Sequence, residues 1–240
     1  MRAIPALLAL MLIAGCISSA PGNTANGSAN RSNLSNASIA NSSNPAGPGG
    51  QELNITALAS AGLKMGSDEA PVIMVEFSDY QCQFCRRFWE VNFATLKEQY
   101  IDTGKVQFVY RDLPLPFHNA AEDSAVSVWC AEEQGMGWQM HDRIFATQAA
   151  VGTGLVFYAK SDLKQWAGEI GLDRAAFDSC LDSGRYLGRV RLSRDEAESS
   201  GLNSTPSFVI GLRNRTNYVT LIGALPYGTF RATIDQLLSG

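Results

Sequence analysis

The sequence predicts an α/β fold into which an all-helical domain is inserted, on three observations. A β-α-β pattern occupies residues 72–110 and a β-β-α pattern occupies residues 207–238. Between them lies a block of about eighty residues whose apolar positions recur at helical spacing.

The first strand is Val72-Ile73-Met74-Val75-Glu76-Phe77, a short apolar run rich in β-branched residues that reads as a buried central strand. Ser78, Asp79 and Tyr80 form the turn after it. From Phe84 the pattern becomes helical, with Phe88, Val91 or Asn92, and Leu96 at three- to four-residue spacing. Lys105–Tyr110 alternates and reads as a second, parallel strand reached by a right-handed crossover. Pro114 and Pro116 end it, since neither fits inside a ladder. Upstream, Gly66–Pro71 is a turn into the first strand, and Leu53–Leu63 is open between strand and helix.

Helices follow. Residues 119–133 place Ala121, Ala125, Val128 and Trp129 on one face and stop near Gly135, and residues 138–148 carry Trp138, Ile144 and Phe145. Asp162 opens a short helix with Leu163, Trp166, Ala167 and Ile170, closed by Gly171. Asp173 caps the next, where Phe177, Cys180 and Leu181 share a face, and a last helix of about residues 185–199 ends at Gly201. Ser207–Ile210 and Tyr218–Ile222 are then strands. Pro226 begins the final helix, which buries Phe230, Ile234, Leu237 and Leu238.

With 240 residues and 45% hydrophobic composition the chain can bury a sizeable core. The first fifty residues stand apart from it. Met1-Arg2, the apolar run Ala3–Ile13 and Ile13-Ala14-Gly15-Cys16 match a lipoprotein-type signal (residues 1–15) with lipidation at Cys16. An ordinary signal peptide with a chance cysteine is the alternative. Residues 16–50 are Asn, Ser, Ala, Gly and Pro with one charge, a disordered tether. N-x-S/T triplets begin at Asn26, Asn30, Asn33, Asn36 and Asn41, and again at Asn54, Asn203 and Asn214. They read equally as a glycan-shielded stalk or as a by-product of composition.

Taking Arg2 and Arg31 from the 19 Lys and Arg leaves 17 against 23 acids, so the rest of the chain is acidic and nucleic acid is disfavoured as a partner. Of five cysteines, lipidation of Cys16 leaves an even four. An exported location is oxidising, so both remaining pairs can form disulfides. Cys130 and Cys180 fall on apolar helix faces, and a Cys130–Cys180 disulfide would staple the helical block. Two buried free thiols are the alternative.

Cys82-Gln83-Phe84-Cys85 places two thiols three positions apart where strand becomes helix. The amides and dipole of that helix start favour a Cys82 thiolate, which makes a disulfide easier to reduce and the protein a better oxidant. Cys85 would lie beneath as the resolving thiol. Half a zinc site has the same spacing, but the chain holds only His118 and His141 and no second C-x-x-C, so no metal is expected. A purely structural local disulfide is the other alternative.

Glu76-Phe-Ser-Asp-Tyr-Gln-Cys82-Gln-Phe-Cys85-Arg-Arg-Phe88 resembles the active-site segment of the DsbA-like thiol:disulfide oxidoreductases of the thioredoxin superfamily. The resemblance implies a thioredoxin-like domain at residues 51–116 and 202–240, with an inserted helical domain at 117–201. It implies a buried acid beneath the active site at Glu76, whose raised pKa would let it relay the Cys85 proton. Thr205-Pro206 resembles the family's cis-proline turn, so Thr205, Pro206, Gln83 and Phe84 are expected to bind substrate, with Pro206 part of the catalytic set beside Cys82 and Cys85. For Asn203, next to that turn, burial against the active site argues against glycosylation.

The family commonly has proline where this chain has Gln83, which leaves the redox potential open. His118 resembles a family histidine and is expected to be structural. Arg86 and Arg87 read as solvated helix residues. The expected activity is disulfide formation in exported proteins with reduced cysteines, without a cofactor, from a lipid anchor on the outer face of the cell membrane. The resemblance implies reoxidation by a DsbB- or vitamin K epoxide reductase-type membrane partner. A reductase or isomerase on the same fold, or a non-catalytic tethered binding module or holdase chaperone, are the rival readings.

Overall fold

The computed structural model describes residues 54–240. The signal segment, Cys16, the tether and its five N-x-S/T triplets lie outside the described residues. The order is α1 (Ile55–Ser60), β1 (Leu63–Met65), β2 (Val72–Ser78), α2 (Gln83–Phe88), α3 (Ala94–Leu96), β3 (Val106–Asp112), α4 (Ala121–Glu132), α5 (Gly137–Val151), α6 (Lys160–Glu169), α7 (Arg174–Ser183), α8 (Leu187–Ser199), β4 (Ser207–Leu212), β5 (Tyr218–Ile222) and α9 (Tyr227–Ser239). The sequence left Leu53–Leu63 open; it divides into helix α1, capped by the Asn54 side chain on the amides of Thr56 and Ala57, and the edge strand β1.

The five strands run β1-β3-β2-β4-β5, with β2 and β3 parallel and the other pairings antiparallel. β2 is central and buried along its whole length, as its unbroken apolar run requires. Because side chains alternate across a strand, Ile73, Val75 and Phe77 face one core with α1 and the end of α8. Val72 and Met74 face the other, larger core. Glu76 falls on that second face, in register with Tyr110 of β3 and Phe208 of β4. The acid is thereby placed under α2, and the strand's period decides it.

Two wide, π-type turns, Trp89–Phe93 and Lys97–Ile101, interrupt the helix that begins with α2. They resolve the ambiguous heptad: Asn92 is buried with its amide on the Leu225 carbonyl at 3.1 Å, whereas Val91 is exposed. The extra residue in each turn buries Phe93 beside Asn92 and Ile101 beside Tyr100.

Helices α4 to α8 occupy the stretch between β3 and β4. One sequence expectation shifts: α6 opens at Lys160, and Asp162 reaches back to cap the Ala159 amide at 2.7 Å. Asp173 does cap α7, and Gly184, in the left-handed region at φ 62°, closes it. Cys130 of α4 and Cys180 of α7 are joined as a disulfide with Cα atoms 5.8 Å apart. Buried Arg111 anchors the opposite face, donating to the Leu58 carbonyl at 2.8 Å and Ser193 Oγ at 3.1 Å and pairing with Glu196. One side chain of β3 thus holds both α1 and α8 against the sheet.

Candidate active site

The turn from β2 into α2 is organised by Asp79. Its carbonyl accepts the Cys82 amide at 3.0 Å and its own amide points at the Cys85 sulfur at 3.5 Å. Its fully buried carboxylate accepts from the Gln81 amide, the Leu115 amide and His118 Nδ1 at 2.7–2.8 Å. Cys82 is the N-cap residue of α2, and both Cys82 and Cys85 are free thiols. Cys82 retains 4% exposure and Cys85 none.

Opposite Cys82 stands the Thr205–Pro206 peptide, which is cis. The Thr205 carbonyl lies 3.5 Å from the Cys82 sulfur. A cavity of about 300 Å³ opens here, and Cys82, Gln83, Phe84, His118, Asn203 and Thr205 are among the residues that line it. Phe84 is 51% exposed and Gln83 is exposed beside it. Asn203 is exposed too. The expectation that it is buried against the site is corrected, because it sits on the cavity rim one residue beyond the buried Leu202.

The two thiols differ in acidity for reasons the geometry supplies. Cys82 is lowered from 9.0 to about 6, first by the hydrogen bond from the Cys85 thiol, then by one with Thr205 and by the amides of Cys85 and Phe84, against the opposing effect of burial. Cys85 is raised well above its ordinary value, chiefly by burial and then by donating to Cys82. Burial also raises Glu76 to about 8, with a smaller contribution from the Cys82 charge. At neutral pH the site therefore holds one thiolate at the cavity, one thiol beneath it and a protonated acid below both.

A further sequence expectation is overturned at Arg86. Arg86 is not solvated: it is 4% exposed and donates to the carbonyls of Gln148 at 3.3 Å and Gly154 at 3.1 Å. Its position in the first turn of α2 faces the insertion, where the last turn of α5 and the loop after it leave carbonyls that need donors. Arg87 is exposed, as expected. Gln81 works alongside Arg86, with its amide on Val156 O at 3.0 Å and its carbonyl oxygen taking the Ala120 amide at 2.8 Å. Replacing Arg86 with Met should leave those carbonyls unpaired, cost about 1–3 kcal/mol and speed proteolytic cleavage within residues 149–157. An unchanged cleavage rate there would show that Gln81 alone suffices.

His118 stands where the sequence puts it, just ahead of a helix. It precedes α4 by a short turn, keeps its ring 8% exposed and lines the cavity with Cys82. Asp79 is the residue sequence reasoning missed. An acid in a turn looks like a turn former, and only its pairing with a histidine 39 positions away shows otherwise.

The thioredoxin family's sequence model matches residues 59–236. Among curated relatives, the chain is 32% identical over 149 residues to the Na(+)/H(+) antiporter NhaA 3 of Salinispora tropica, covering 62% of this chain and 21% of that protein. It is 29% identical over 163 residues to the probable disulfide bond formation protein D of Bacillus anthracis, covering 61% of this chain and 68% of that one. The chain spans about a fifth to a quarter of the length of the antiporters it matches. Among solved structures, Wolbachia pipientis alpha-DsbA1 superposes with a TM-score of 0.68 at 24% identity, covering 78% of this chain and 96% of that one. With a family match that spans most of the described residues, this chain belongs to the thioredoxin family, and its fold is shared with the DsbA structures.

Proposed function

We propose that this protein is a thiol:disulfide oxidoreductase that introduces disulfides into exported proteins through Cys82 and Cys85. The observation that carries the reading is the division of labour between the sulfurs: an acidified Cys82 at the cavity and a buried, high-pKa Cys85 beneath it. In the oxidised protein a substrate thiolate attacks Cys82 Sγ. The Cys82–Cys85 bond breaks with its electron pair on Cys85, which takes the Glu76 proton. A second substrate thiolate then attacks the substrate sulfur of the mixed disulfide, and Cys82 leaves as a thiolate. Thr205, Pro206, Gln83 and Phe84 form the surface on which the substrate segment lies.

Linkage supports the oxidant direction. Only the reduced protein has a Cys82 thiolate, so lowering its pKa from 9.0 to about 6 stabilises the reduced form above pH 6, increasingly up to pH 9. At pH 7 one decade of the three is realised, about 1.4 kcal/mol or ~30 mV toward the oxidant side. Alkylation of Cys82 against pH should show a midpoint near 6, and a midpoint near 9 sinks the oxidant assignment. Cys82→Ser should abolish oxidative refolding of a reduced test protein; undiminished refolding would leave a binding module or chaperone in its place.

Location and partners belong to the same proposal. Lipidation of Cys16 and a tether of residues 16–50 would hold the domain at the outer face of the cell membrane. A DsbB- or vitamin K epoxide reductase-type membrane protein, as the family resemblance implies, would reoxidise Cys82 and Cys85.

A further inference from the structure

We propose that His118 is the general base of the exchange: its Nε2 takes the proton from the incoming substrate thiol as that sulfur attacks Cys82, with Asp79 fixing the ring. This rests on the oxidoreductase reading and names the group that prepares its substrate. A free cysteine thiol has a pKa of ~8.5, so only a few per cent is thiolate at pH 7, and the thiolate is the nucleophile. Glu76 cannot help, because it lies beneath the sulfurs on the sheet side. Of the side chains that line the cavity, only Cys82 and His118 titrate near neutrality.

The geometry suits a base. Asp79 Oδ2 holds His118 Nδ1 at 2.8 Å, which sets the Nδ1–H tautomer and leaves the Nε2 lone pair for the cavity. The backbone of the same Asp79 contacts both cysteines, at 3.0 Å to the Cys82 amide and 3.5 Å to the Cys85 sulfur. One buried residue therefore sets sulfurs and imidazole in a single frame. The Phe117 ring meets the imidazole edge-on, centroids 4.6 Å apart, and screens it from water. The titratable groups facing His118 are Asp79 and Cys82. Burial lowers its pKa, but the hydrogen bond and charge of Asp79 outweigh that and raise it from 6.5.

The protons balance. His118 takes one from the first substrate thiol and hands it to solvent, while Cys85 receives the Glu76 proton as it leaves. His118 then serves the second substrate thiol, which attacks the mixed disulfide. Cys82 departs as an anion needing none. Two electrons pass from substrate to the cysteine pair. Of the two substrate protons, one is matched by that on Cys85 once Glu76 recovers its own from solvent, and one is released.

The test compares oxidised wild type and His118→Gln with two thiols at pH 7: an alkyl dithiol of ordinary acidity and an aryl thiol already ionised. His118→Gln should oxidise the alkyl dithiol up to about 30-fold more slowly, the factor by which a thiol of pKa ~8.5 falls short of full ionisation at pH 7, and react with the aryl thiolate at the wild-type rate. Equal losses with both thiols, or none with either, overturn the proposal. The Cys82 alkylation midpoint should stay near 6 in the variant; a rise toward 9 would make His118 a support for the thiolate and overturn it too. If the variant does not fold, wild type alone decides. Its rate should follow total alkyl thiol above the imidazole pKa, and a rate that tracks only the substrate's thiolate fraction refutes the base. A wild-type protein that oxidises neither thiol sinks the oxidoreductase reading first.

Discussion

Glu76→Gln should yield a protein that is more stable at pH 7 and slower at its chemistry. The carboxyl is raised from 4.5 to about 8, mainly by burial, so the folded state keeps a proton that the unfolded chain gives up. Stability from this group is full below pH 4.5 and is lost as pH rises to 8, at about 1.4 kcal/mol per pH unit. At pH 7 the loss is ~3 kcal/mol, and Gln, which needs no proton, escapes it. The comparison belongs in the oxidised protein, where Cys82 does not titrate and its opposing pH 6–9 slope is absent. Wild type should lose stability relative to the variant steadily from pH 4.5 to 8, and parallel stability curves across that range would refute the buried acid. Gln cannot hand a proton to the departing Cys85, so exchange should slow roughly 10²-fold.

The second large effect is on the helical insertion. Replacing Cys130 and Cys180 together with Ala removes a bridge that closes 50 residues. The chain-entropy cost is about 4 kcal/mol at 25 °C, read as a lower urea midpoint. The thiols at 82 and 85 should keep their separate acidities, because the interactions that tune them come from α2, from Glu76 and Ser78 of β2 and from Thr205, all outside the insertion. A loss below about 1 kcal/mol would mean that the packing of α4 on α7 holds the pair without the bond. Loss of Cys82 reactivity together with stability would tie the insertion to the site more tightly than the hydrogen bonds of Gln81 and Arg86 indicate.

The readable parts of this chain are those governed by local rules. β2 announces itself as seven consecutive buried residues because a strand covered on both faces must be apolar throughout. Cys82 at a helix start follows from the strand-to-helix change in period, and the cap at Asp173 follows from what a helix end requires. The misreadings have equally specific causes. Val91 and Asn92 could not be separated by a 3.6-residue period because the helix there is π-wound. Arg86 looked solvated because its acceptors, the carbonyls of Gln148 and Gly154, are more than 60 positions away. Asn203 looked buried because it adjoins the Thr205-Pro206 turn expected to pack against the active site, while the cavity rim leaves it exposed.

By itself the sequence determined which chemistry is present: two thiols on a helix start, an acid six residues before them in a buried strand, and a Thr-Pro step ahead of the closing β-β-α unit. Those are matters of spacing along one chain, and spacing is what a sequence records. Only the tertiary structure decided which groups meet. It set the Asp79 carboxylate on the His118 ring, brought that ring to the Cys82 cavity, and turned Glu76 to the sulfurs' side of the sheet. Hydrogen bonds and low-dielectric burial act over a few ångströms between segments far apart in the chain, so acidity and roles at this site are properties of the fold.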